Sequence, residues 1–164
     1  LVRDGRLERI SRGLYRLPES DTTEHFTLVQ AGKRVPHGVI CLLSALSFHE
    51  ISTQLPHRIW MAIERDKWEA GIRDLPLRLF EFSGKSFHEG IETHDIQGIP
   101  VKIYCPAKTV ADCFKYRNKI GLEVALEALR ECVREMKCTH QDLWHYAKVC
   151  RVANVMRPYL EAIA

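Results

Sequence analysis

The stretch Tyr104–Glu131, YCPAKTVADCFKYRNKIGLEVALEALRE, decides the fold, because it encodes the end of a strand and two amphipathic helices in register. Pro106 supplies a preset φ at a first helical position, and Cys105 before it is pushed toward extended backbone. A strand therefore ends where a helix begins. Ala107, Val110, Ala111 and Phe114 then share one stripe, with Lys108, Asp112, Lys115 and Arg117 on the polar side or its border. Gly121 closes the turn, and Leu122, Ala125, Leu126, Leu129 and Val133 form the stripe of a second helix.

Upstream of this block, Ile91–Ile96 and Ile99–Tyr104 flank Gln97-Gly98, a hairpin signal in which Gly98 accepts positive φ. Residues 58–63 and 77–82 alternate as strands. Val39–Glu50 is apolar on nearly every face and reads as a central buried helix. A modest helix spans Glu24–Arg34, stopping before Pro36. Downstream, Thr139 with Asp142 forms a capping box ahead of Leu143, Ala147 and Cys150, and a last stripe runs from Val152 to Ile163, kinked or restarted at Pro158. The expectation is an α+β fold: a mostly antiparallel sheet packed with helices, and a helical C-terminal third.

A chain of 164 residues, 46% hydrophobic and 27% charged, has the composition of one soluble domain. No apolar run approaches the length of a membrane span. Six cysteines without CxxC spacing read as reduced thiols of a cytoplasmic protein. Residues 1–17 hold five arginines against Asp4 and Glu8, a surplus equal to the net charge of +3. Leu7–Ile10 and Leu14–Leu17 read as a hairpin around Ser11, Arg12 and Gly13. Arg6, Arg9, Arg12 and Arg16 would line its edge and tip, as in a wing gripping DNA phosphates or in a solvated arginine-rich ribbon. Leu1 in place of Met suggests a truncated product with a segment upstream.

No catalytic or metal site is legible. The eight histidines show no HExxH or HxH, and no cysteine pair has ligand spacing. Asp95 and Lys102 share a hairpin as in metal-dependent nucleases, but Pro100 stands where a second carboxylate would hold the cation. Ser44, inside an apolar helix without flanking glycines, reads as a hydroxyl satisfied by a backbone carbonyl. Lys108, Lys115, Arg117 and Lys119 form a candidate basic patch for an acidic protein or RNA.

Taken together, GRLERISRGLYRLP (5–18), VPHGVICLLSALSFHEISTQLPHRIWMAI (35–63) and FHEGIETHDIQGIPVKIYCPAKTVADCFKYRNKIGLEVALEAL (87–129) resemble the AbiEi family of antitoxins and transcriptional regulators. These belong to bacterial type IV toxin-antitoxin (abortive infection) systems. The resemblance implies that residues 1–18 are the wing hairpin of an N-terminal winged helix-turn-helix whose recognition helix lies upstream. Residues 19–164 would be the antitoxin-type α+β domain. It further implies a non-enzymatic autorepressor without cofactors, whose DNA binding resides mainly in the upstream part. Its partners would be operator DNA and a nucleotidyltransferase-like toxin that is countered without a stable complex. An RNA- or protein-interaction module, or a metal-dependent nuclease, are the alternatives.

Overall fold

A computed structural model describes residues 8–11, 14–16, 23–52, 54–67 and 75–163. Two short antiparallel strands, β1 (Glu8–Ser11) and β2 (Leu14–Arg16), form a sheet of their own. β2 lies beside α1 (Thr23–Arg34). Then follow β3 (Val39–Ile40), α2 (Leu42–Phe48), β4 (Ile59–Glu64), β5 (Leu77–Phe82), the single turn α3 (Lys85–His88), β6 (Ile91–Ile96) and β7 (Ile99–Tyr104). Five helices complete the chain: α4 (Pro106–Lys115), α5 (Arg117–Ile120), α6 (Leu122–Arg134), α7 (His140–Val149) and α8 (Ala153–Ala162).

The five strands β3–β7 form one sheet in the order β5-β4-β3-β7-β6. It is mixed rather than mostly antiparallel, since β4–β5 and β3–β7 run parallel while β3–β4 and β6–β7 run antiparallel. Hairpin logic reaches only β6–β7, where Gln97 (φ 54) and Gly98 (φ 82) both take the left-handed backbone of a tight hairpin turn. The Asp95 carboxylate accepts the Gly98 N–H at 2.7 Å and closes that turn.

Strand alternation separates two cores. In β4, Ile59, Met61 and Ile63 face Leu28, Val29 and Ala31 of α1 and Val35 just after it, whereas Trp60 and Ala62 face the layer built from α4, α6, α7 and α8. β3 and β7 split the same way: Ile40, Val101 and Ile103 on the α1 side, Val39 and Tyr104 on the other. The molecule is thus α1, sheet, helical layer. α4 lies at the centre of the thick side, buried at every position from Ala107 to Phe114.

The expected helix over Val39–Glu50 is corrected at its start. Val39 and Ile40 are the central strand, since β-branched side chains suit a buried ladder and the Cys41 N–H extends it onto the Trp60 carbonyl at 2.9 Å. Leu42, with φ 49, then turns the chain sharply into α2. Ser44 does the reverse of what its sequence suggests: its Oγ accepts the Trp60 N–H at 2.9 Å. α6 buries Ala125, Ala128, Leu129 and Cys132, leaving Leu122 exposed at its first turn. The capping box of Thr139 and Asp142 is complete, and α8 runs through Pro158 as one helix.

The thiols are not all free. Cys132 and Cys138 are joined as a disulfide with Cα atoms 6.0 Å apart. The link arises because Met136 (φ 54) reverses the chain and the Lys137 N–H bonds back to the Cys132 carbonyl at 2.9 Å. Cys41, Cys113 and Cys150 are buried and unpaired. Burial raises all three thiol pKa values well above their ordinary range.

One glycine has no substitute. Gly90 joins α3 to β6 with φ 83, and a Cβ there would sit 2.7 Å from Cβ and 2.9 Å from Cγ of Lys108. Gly90→Ala combines a left-handed backbone with a collision against buried stem atoms. It is expected to destabilise the fold by at least about 2 kcal/mol, given about 1–2 kcal/mol for the backbone alone. The midpoint of urea unfolding measures this, and an unchanged midpoint contradicts it.

Candidate functional site

The four cations of the sequence-predicted patch do not share a surface. Lys115 and Lys119 are exposed and Arg117 is half-buried, its guanidinium donating to the Phe114 carbonyl at 2.8 Å. Lys108 is 0% exposed. Its Nζ donates to Oδ2 of equally buried Asp112 at 2.7 Å and lies 3.9 Å from the ring centre of Tyr104 and 4.9 Å from that of Phe82. Position i,i+4 on a helix allows the pair, and the aromatic faces of the sheet supply a negative bed for the ammonium. The second carboxylate oxygen, Oδ1 of Asp112, accepts the Cys150 thiol at 3.3 Å. Burial pushes the Asp112 carboxyl above the usual carboxylate range, with the Lys108 ammonium pulling it back down.

A different set of cations does converge. A polar cleft of about 700 Å³ opens where α3, the end of α4 and the end of α7 meet. Lys85, Lys115, Lys148 and Arg151 line it, with Ser83 and Ser86 hydroxyls at its wall. Among the described residues, none of these four cations pairs with a carboxylate; Glu89 at the rim pairs with His145 at 3.3 Å. Arg151 is set by a chain reversal (φ 59), in which its N–H bonds the Lys148 carbonyl and the Val152 N–H bonds that of Ala147. Lys115 alone carries over from the predicted patch. The other three come from two further regions, Lys85 from α3 and Lys148 with Arg151 from the end of α7, so tertiary packing assembles them.

A second cluster, absent from the sequence reading, lies on the α1 side at the sheet edge. Glu92 and His94 alternate onto one face of edge strand β6, and His49 arrives from the residue that ends α2. Their potential ligand atoms all lie within 4.8 Å of one another. His94 Nε2 bonds Glu92 Oε1 at 2.8 Å, and His49 Nε2 donates to the Tyr104 carbonyl at 2.8 Å. Lys137 Nζ donates to the His49 carbonyl. Burial lowers the His49 pKa, so the ring is neutral at physiological pH. The available signal was the period of two, Glu92-x-His94 on a strand, which searches for HxH and HExxH pass over.

The hairpin residues are only partly visible. Arg9 stands opposite Tyr15 and Arg16 opposite Glu8, while Arg6 and Arg12 lie outside the described residues. On the nuclease side, Asp95 is engaged in its hairpin turn and Pro100 stands directly across from it. No helix among the described residues is long and apolar enough to cross a membrane. The sequence matches no protein-family model and no curated protein.

The buried pair makes a signed prediction. Lys108→Met strands a carboxylate in the core and is expected to cost about 3–5 kcal/mol at neutral pH, whereas Lys108→Met with Asp112→Leu recovers most of the loss. In the single variant the native state holds a proton on Asp112 that the unfolded state releases above about pH 4. Its stability therefore falls as pH rises, and acidification from pH 8 to pH 5 restores part of it. Urea titrations at both pH values test this, and a loss independent of pH argues against an uncompensated carboxylate.

Proposed function

We propose that this chain is a non-enzymatic regulator of the antitoxin type, acting as antitoxin and autorepressor of a type IV toxin-antitoxin operon. The observation that carries the reading is the separateness of the N-terminal ribbon. β1 and β2 pair with each other and not with the five-stranded sheet, as a wing appended to a body would. The resemblance of residues 5–18 to such a wing, and the five arginines in the first 17 residues, support the same conclusion. On this reading base recognition belongs to the recognition helix of the winged domain that the resemblance implies, and the hairpin adds phosphate contacts that set affinity and salt dependence. Residues 19–164 form the body that counters a nucleotidyltransferase-like toxin without a lasting complex, in the cytoplasm.

The basic cleft favours a second reading, an anion-binding module whose partner is RNA or another polyphosphate. Four cations that pair with no carboxylate among the described residues surround a polar opening and form a site of positive potential that collects phosphate. The two readings are compatible in one protein, since they place contacts on different elements.

Titrating the gene's full-length product against its own promoter duplex and a scrambled duplex, over a range of salt, tests the first reading. Preference for the promoter is expected. Arg9→Ala with Arg16→Ala should weaken binding to both duplexes and reduce the salt slope by about 0.9 for each phosphate contact removed. Equal affinity for both duplexes, together with failure of co-expression to rescue growth from the neighbouring toxin gene, contradicts the proposal. For the cleft, Lys148→Glu with Arg151→Glu is expected to weaken binding of a short single-stranded RNA at least tenfold while leaving promoter binding unchanged. Unaltered RNA affinity removes that reading.

A further inference from the structure

The geometry points to a divalent transition-metal site, Zn²⁺ by ligand type, formed by His49, Glu92 and His94 at the edge of the sheet. Two imidazoles and one carboxylate suit zinc, leaving a fourth tetrahedral position for water. Glu92 and His94 are two residues apart on a strand and therefore leave the same face side by side, already 2.8 Å apart. Ligand atoms bound to one zinc ion at about 2.0–2.1 Å sit roughly 3.3 Å from each other. The present spread, at most 4.8 Å, leaves about 1.5 Å to close by side-chain movement. Room for it exists, because the His94 and Glu92 side chains are 33% and 42% exposed.

Two further observations distinguish this cluster from a chance surface pair. His49 donates Nε2–H to the Tyr104 carbonyl, which fixes the tautomer and leaves Nδ1 with its lone pair; outer hydrogen bonds of this kind orient metal-binding histidines. Phe48 packs against both imidazoles, its ring centre 5.2 Å from that of His49 and 4.7 Å from that of His94, and so forms an apolar wall. Lys137, the nearby cation, is engaged on the His49 carbonyl. An ordinary ion pair would need only Glu92 and His94 and would be indifferent to His49. A metal site needs all three.

The test uses chelator-treated protein titrated with Zn²⁺ against a chromophoric competitor, and with Co²⁺ to record its visible spectrum. One tight equivalent is expected, with a Co²⁺ spectrum lacking thiolate charge-transfer bands. His49→Ala, His94→Ala and Glu92→Gln should each weaken it at least tenfold, whereas His88→Ala, which alters a histidine paired with Glu64 elsewhere, should not. Circular dichroism checks folding, and the isosteric Glu92→Gln decides the matter if a histidine variant loses helicity. Absence of a tight equivalent, one that survives His49→Ala, or a thiolate-type spectrum overturns the assignment. None of these readouts depends on the regulatory reading above.

Discussion

The ion pair of Lys108 and Asp112 is the constraint around which the thick half of the molecule is arranged. Two charges removed from water hold together only if their remaining hydrogen-bonding capacity is met and nothing of like charge intrudes. Here the sheet contributes the faces of Tyr104 and Phe82, α7 contributes the Cys150 thiol at its end, and α4 carries both ions. Tyr104 is in turn fixed by its hydroxyl, which donates to the Phe87 carbonyl at 2.6 Å. The sheet, α3, α4 and α7 therefore meet at one polar point inside an otherwise apolar layer. Replacing the pair with hydrocarbon would satisfy burial, but it would not fix which turn of α4 faces Tyr104.

Much of the architecture is written plainly in the chain. The stripe Ala107, Val110, Ala111, Phe114, the start of α4 at Pro106 and the β6–β7 hairpin each follow from period and turn chemistry alone. What escaped are features created by tertiary context. A two-residue strand such as Val39–Ile40 has no periodicity to detect and is defined only by neighbours on both sides. Lys108 and Asp112 obey helical spacing for a solvated pair, and nothing local signals that α4 is covered all round. Parallel pairing of β4 with β5 requires a crossover that sequence alternation does not encode.

The candidate sites were less legible than the fold for the same reason. The cleft gathers Lys85, Lys115, Lys148 and Arg151 from three separate regions of the chain, and the predicted patch loses Lys108 to the core, with Lys115 its one member at the cleft. The His49, Glu92 and His94 cluster joins α2 to an edge strand that is distant in sequence. Half of its geometry, the Glu-x-His alternation on β6, could have been read from the chain. The other half depends on where α2 ends, which is set by the reversal at Glu50 (φ 56), with the Ile51 N–H bonded back to the Leu46 carbonyl.

The contact of Gly90 with the Lys108 stem bears on how such a sequence can drift. The atoms that would meet a Cβ at this glycine are the Cβ and Cγ of position 108, which any residue long enough to fill that place also carries. Loss of the cation in a diverging lineage therefore leaves the glycine as constrained as before, while the lysine and the acid that neutralises it are free to be exchanged together. Of the three positions, the glycine should outlast the charged couple.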